Sequence, residues 1–187
     1  KIKNFLLVFL IIFSYLISVV KTYAVDITAD RTISSSSDGD QYNIKTNNDI
    51  DVIVTNNSTL ERNQKIFNVS AASLTGSSIT IHVGSSVIAE TNSIFSNGAE
   101  LTITNTGTIE ATNSKAINVS NSDGVSITNN NNGVIKSNNN TILGDAGTGA
   151  DNVTIDNSGE IYTTATGTES SAIVFANNDT GNTITNN

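Results

Sequence analysis

One pattern constrains this chain more than any other: an apolar–polar–apolar triplet followed by polar turn residues, recurring at uneven intervals. It reads Val52-Ile53-Val54-Thr55-Asn56, Ile79-Thr80-Ile81-His82, Leu101-Thr102-Ile103-Thr104-Asn105, Val125-Ser126-Ile127-Thr128-Asn129, Val153-Thr154-Ile155-Asp156-Asn157 and Ile184-Thr185-Asn186. The last apolar residue of each falls at Val54, Ile81, Ile103, Ile127, Ile155 and Ile184, giving steps of 27, 22, 24, 28 and 29 residues. Such scatter excludes heptads and helical repeats, in which an insertion rotates every later face. It suits a solenoid of short strands, whose surplus residues bulge out at a turn.

Each triplet is followed by a second apolar position, at Leu60, Ile88, Ile109, Ile135 and Ile161. A third follows at Ile66-Phe67, Ile94-Phe95, Ala116-Ile117, Thr141-Ile142 and Ala172-Ile173. In three copies a glycine stands two residues before the second position: Gly107, Gly133 and Gly159. We read these as repeat-turn glycines. Val, Ile and Thr alternate with a period of two, and their β-branches suit a pleated surface. Runs of three to five such residues between Asn, Ser, Asp and Gly clusters are strand–turn grammar, with Asn and Gly supplying left-handed corners. The expected fold is all-β: a right-handed parallel β-helix with about three short strands per 22–29-residue coil. Disorder is the rival for so polar and acidic a chain, but 37% of the residues are apolar and they recur periodically.

The first segment has a different logic. Lys1-Ile2-Lys3-Asn4 precedes an apolar run from Phe5 to Val20, and Lys21-Thr22-Tyr23-Ala24 leads into an acidic stretch. This is the layout of a signal peptide over residues 1–24, with its h-region helix and cleavage after Ala24. An uncleaved membrane anchor is the rival reading, and a run of sixteen residues is short of the roughly 20 that span a bilayer. Cleavage removes Lys1, Lys3 and Lys21 and no acid, moving the formal charge from −8 to −11. The organisation expected is therefore a signal over 1–24, an irregular cap or first coil over 25–50, and β-helix repeats over 51–187. Ile27, Ile33, Tyr42 and Ile44 would furnish the cap. Ile184-Thr185-Asn186-Asn187 starts a unit whose Gly-x-Ile half is not in the chain, which suggests an amino-terminal piece of a longer protein.

The repeats carry a resemblance. Ile103-Thr104-Asn105-Thr106-Gly107-Thr108-Ile109 and Val153-Thr154-Ile155-Asp156-Asn157-Ser158-Gly159-Glu160-Ile161 resemble the Thr-Asn-Ser-Gly-Thr-Ile repeats of bacterial autotransporter passenger domains. The lead-in from Ile142 to Val153 is similar to a glycine-rich segment found there, and the likeness spans about residues 50–187. Haemagglutinin-like surface β-helices share such repeats. The resemblance implies type V secretion, with the passenger exported to the periplasm and passed outward through an outer-membrane barrel of the same polypeptide. It also implies a secreted or surface location and an adhesive contact with a host or environmental surface, protein or glycan.

Chemistry is harder to find. Without Cys there is no disulfide, thiolate–zinc site or thiol nucleophile. A pI near 4.4 argues against nucleic acid, and the membrane enters only through the signal segment. No cofactor is expected. A pectate-lyase-like polysaccharide-active β-helix needs clustered acids and a cation. The nearest cluster, Asp145, Asp151 and Asp156, has no basic residue close in sequence. His82, the only histidine, would alternate with inward Ile81 and Val83 and face solvent. Gly147-Thr148-Gly149-Ala150-Asp151-Asn152-Val153 is half a calcium nonapeptide, and a calcium-dependent solenoid needs consecutive copies. Asn129 to Asn132 and Asn138 to Asn140 could stack as amide ladders at a corner. An ice-binding Thr-x-Thr face would place Thr80, Thr102 and Thr154 in one outward row, which Ile53 and Ser126 break. The function expected is thus non-enzymatic: a secreted or surface-displayed structural or adhesive solenoid.

Overall fold

Alternating β-branched and polar residues form twenty short strands in the computed structural model, which describes residues 24–45, 48–70, 74–98, 100–144, 149–166 and 170–187. The first coil holds β1 (Ala24–Ile27), β2 (Arg31–Ile33) and β3 (Ser37–Asp38). The second holds β4 (Gln41–Ile44), β5 (Asp51–Val54) and β6 (Thr59–Arg62); the third β7 (Phe67–Val69), β8 (Ser77–Ile81) and β9 (Ser86–Ala89). The fourth holds β10 (Ile94–Ser96), β11 (Leu101–Asn105) and β12 (Thr108–Ala111); the fifth β13 (Ile117–Asn118), β14 (Ser126–Asn129) and β15 (Val134–Ser137). The sixth holds β16 (Ile142–Leu143), β17 (Thr154–Asn157) and β18 (Glu160–Thr163), and β19 (Ile173–Val174) and β20 (Thr183–Asn186) follow.

Every strand pairs in parallel with its equivalent one coil away, in three sheets ordered β1-β4-β7-β10-β13-β16-β19, β2-β5-β8-β11-β14-β17-β20 and β3-β6-β9-β12-β15-β18. The chain is a parallel β-solenoid of coils averaging about 26 residues. Inward side chains stack on their equivalents, about 4.8 Å apart along the axis. Tyr42, Phe67, Ile94, Ile117, Ile142 and Ile173 form one such column. Val52, Ile79, Ile103, Ile127, Ile155 and Ile184 form a second, and Leu60, Val87, Ile109, Ile135 and Ile161 a third. Most of their members are fully buried. In the first coil Ile27 and Ile33 are buried, and Arg31 lies 5.5 Å from the Tyr42 ring centroid.

The register corrects the sequence reading at four points. Ile103 pairs with Ile79, and Ile81 stands opposite Asn105, so the 22-residue step between triplets does not exist. Val87, not Ile88, joins the third column, and Ile88 points outward between Glu61 and Glu110. Ile94 aligns with Phe67, which turns Phe95 outward beneath the Lys65 ammonium. Val83 is 63% exposed rather than inward, because β8 ends at Ile81 and the chain turns through Gly84 at φ +78°.

Asn105 continues as a column of its own. Asn105, Asn129, Asn157 and Asn186 occupy the position that Ile33, Val54 and Ile81 fill in earlier coils. Each Nδ2 donates to the next Oδ1, at 2.8, 2.8 and 2.7 Å. The same Nδ2 donates to the carbonyl of its own turn glycine, at 3.2 Å to Gly107, 3.1 Å to Gly133 and 3.1 Å to Gly159. Asn105 and Asn129 are fully buried and meet their hydrogen bonds within the protein, while Asn186 at the ladder's end is exposed. An amide ladder therefore exists, with Asn129 in it. Its other members come from neighbouring coils, while Asn131 and Asn132 stay exposed.

Gly107, Gly133 and Gly159 do mark the ladder's turns, for a reason other than left-handed backbone. None has a positive φ. A Cβ on Gly107 would collide with the carbonyls of Ser85 and His82, and one on Gly159 with those of Gly133 and Asn130. Close approach of successive coils excludes a side chain here. The left-handed corners are elsewhere: Asp49, Asn56, Asn57, Asn121 and Asn152, stacked in part on Gly76, Gly84 and Gly181.

Candidate functional site

Sheet three breaks its own pattern in the second coil. Arg62 shares an inward column with Ala89, Ala111, Ser137 and Thr163, where Ala89, Ala111 and Ser137 are small and buried. A guanidinium among alanines is costly unless it finds acceptors. Its Nη1 donates to Gln41 Oε1 at 2.8 Å and to the Lys65 carbonyl at 3.1 Å, which pins the corner after β6. Nε is buried with no acceptor. Burial lowers the Arg62 pKa, and attraction to Asp40 opposes that shift. Gln41 in turn donates to Asn43 Oδ1 at 2.6 Å, and Asn68 donates to the same oxygen at 3.2 Å.

Beside this corner lies a groove of about 400 Å³, lined by Glu61, Arg62, Asn63, Ile88, Ala89, Glu90, Thr112 and Asn113. Three successive coils supply it. Its walls are fixed by backbone bonds between coils: Glu90 N–H to Arg62 O at 2.8 Å, Thr112 N–H to Ala89 O at 2.8 Å and Asn113 N–H to Glu90 O at 3.0 Å. Asn113 Nδ2 donates to Glu90 Oε1 at 2.9 Å. Ile88 supplies the outward apolar surface of the groove, and Glu61, Glu90, Asn63, Asn113 and Thr112 its polar groups, while Ala89 is buried and turned inward. Across the same turn a second hollow of about 410 Å³ is lined by Gln41, Gln64, Lys65, Asn68 and Thr91. The Lys65 ammonium sits 3.4 Å from the Phe95 ring centroid, and burial lowers its pKa. Further along the outward face Lys136 pairs with Glu110 at 3.0 Å, and that hydrogen bond raises the Lys136 pKa.

The sites considered from sequence fare unevenly. His82 is exposed, as expected, and its Nδ1 is 3.2 Å from Thr55 Oγ1. Asp145 lies outside the described residues, as do Gly147 and Thr148 of the half-nonapeptide. Asp151 accepts from the Thr180 N–H and, at 3.2 Å, from its hydroxyl; Asp156 accepts from Asn187 Nδ2 at 2.8 Å. These carboxylates serve neighbouring turns. Among the described residues no group of three or more His, Cys, Asp or Glu could hold a metal ion.

The outward threonines form two columns, not one. Asp51, Ser78, Thr102, Ser126, Thr154 and Thr183 make the first; Thr32, Ile53, Thr80, Thr104, Thr128, Asp156 and Thr185 make the second. The groove escaped sequence reasoning altogether. Glu61, Glu90 and Asn113 come together only through inter-coil register, and the one signal was outward Ile88 where its column neighbours are charged. Compared with known protein families, curated proteins and solved structures, the chain matches none.

Proposed function

We propose that this chain is a non-enzymatic segment of an exported protein, a secreted or surface-displayed β-solenoid that projects and adheres. The observation that supports this most is the division of labour between its faces. Inward columns are mainly apolar or amide-bonded, whereas outward columns carry mainly Ser, Thr, Asn and scattered acids that cost nothing to leave in water. Such a solenoid lengthens coil by coil without altering its section, which is what a projecting rod requires. The autotransporter passenger resemblance adds a route. The basic, apolar and small-residue layout of residues 1–24 would direct export, and an outer-membrane barrel would carry the rod outward.

The test is proteolytic shaving of intact source cells, followed by identification of released peptides and of the mature amino terminus. The reading expects peptides from 25–187 in the shaved fraction and a chain beginning at Val25. Cytosolic recovery with residues 1–24 attached would overturn it. Adhesion of the purified chain to the cell's natural substrata, above an unrelated acidic control, is the second expected result.

A further inference from the structure

We propose that the groove of Glu61, Arg62, Ile88, Glu90 and Asn113 binds a neutral saccharide. The proposal rests on the adhesive reading and names the chemistry that the adhesive face recognises.

The groove's volume of about 400 Å³ lies at the small end of the range for ligand sites, large enough for one or two sugar rings. The outward Ile88 side chain gives the C–H face of a pyranose an apolar partner. Glu61 and Glu90 are acceptors only, so they select ligands rich in O–H donors. Asn63, Asn113 and Thr112 both donate and accept. Arg62 brings positive charge to the groove wall, its Nη1 held by Gln41 and the Lys65 carbonyl.

Mixed charge narrows the choice further. An anionic ligand meets Glu61, Glu90 and the field of a chain carrying −8 overall. A cationic ligand meets Arg62 at the same wall. A neutral polyol, whose hydroxyls donate to carboxylates and accept from guanidinium and amide, satisfies every group without an ionic conflict. The site is also pre-formed: inter-coil backbone bonds hold its three walls, and the Asn113–Glu90 bond orients that carboxylate.

The probe is cellobiose titrated into the isotopically labelled chain, followed by amide chemical shifts, with digalacturonic acid as the charged counterpart. Saturable shifts at Glu61–Asn63, Ile88–Glu90 and Thr112–Asn113, weaker for the acidic disaccharide, support the proposal. Glu61→Ala should weaken binding about tenfold, the usual cost of a hydrogen bond to a charged group. Ile88→Lys, an outward substitution that fills the groove, should abolish it while circular dichroism stays unchanged. Glu160→Gln, on a distant strand, should leave binding intact. No saturable shift with either disaccharide, shifts centred elsewhere, or binding indifferent to both groove variants would overturn the assignment. Surface adhesion that survives Ile88→Lys would remove the groove yet leave the adhesive rod standing, so the two failures are distinguishable.

Discussion

Asn129 offers the sharpest test of how the coils hold together. It is fully buried, receives Asn105 Nδ2 at 2.8 Å, and donates to Asn157 Oδ1 at 2.8 Å, Gly133 O at 3.1 Å and Glu160 O at 3.2 Å. Asn129→Ala removes the donor from three acceptors and an acceptor from one donor. Asn105 keeps its bonds to Gly107 O and Val134 O, so its loss is partial. Buried groups left unpaired cost roughly 1–3 kcal/mol each where water cannot reach them, and partial relaxation reduces the sum to about 3 kcal/mol. For a chain of this size that corresponds to a fall of about 6–12 °C in melting temperature. The control is Asn131→Ala, two residues on and exposed, which should stay within about 0.5 kcal/mol. Asn129→Asp sharpens the test by turning a carboxylate towards three acceptors. Its folded pKa must rise above the ordinary 3.9 or so, making the variant's added instability appear as pH climbs from about 4 towards 7. The assay is thermal unfolding by far-ultraviolet circular dichroism, with native-state amide exchange to follow individual coils. Equal melting of the Asn129 and Asn131 variants would refute the reasoning.

Gly159→Ala should destabilise the chain more than Gly124→Ala. The first sets a Cβ against two backbone carbonyls; the second strains a φ of +71° but meets only the flexible Glu100 side chain. Paired melts read the order, and a reversed order would count against close coil approach. Glu110→Gln should cost no more than about 0.5 kcal/mol, since the ion pair with Lys136 is partly exposed. Because the folded Lys136 pKa is raised, that contribution is present below the ordinary lysine value near 10.5 and fades as pH rises through the folded one, a trend absent from the variant. Amide exchange should be fastest along β18, β19 and β20, edge strands like β1–β3 but with Ile161 and Ile173 half-buried and Ile184 50% exposed where Ile27 and Ile33 are buried. Earlier opening of the β8–β9 coil would contradict that gradient.

Much of this fold was legible because its chemistry is local. A strand of alternating Ile and Thr announces itself, and a column of such strands follows once the repeat is seen. Register was not so readily legible. Ser77–Ile81 offers Ile79 and Ile81 two residues apart, both able to face inward, so a slip of two preserves the hydrophobic pattern. What settles it is the amide column, because Asn105 can stand opposite Ile81 and still find Asn129 below. Adjacent apolar residues mislead in the same way: Val87-Ile88 and Ile94-Phe95 each present one side chain inward and one outward. The groove depends on three coils brought into that register, so no linear motif encodes it.

The register of sheet two is therefore the claim on which the ladder and its neighbouring apolar column rest, and the absence of native cysteine makes it directly measurable. Outward neighbours in paired parallel strands lie about 4.8 Å apart, within the span a disulfide bridges. A diagonal offset of two residues places them about 8 Å apart, beyond that span. Oxidation of the Thr80→Cys/Thr104→Cys chain should give a quantitative intramolecular disulfide by mass spectrometry, and the Thr80→Cys/Thr102→Cys chain should remain reduced. The reverse outcome, a bridge between positions 80 and 102 and none between 80 and 104, would contradict the architecture described.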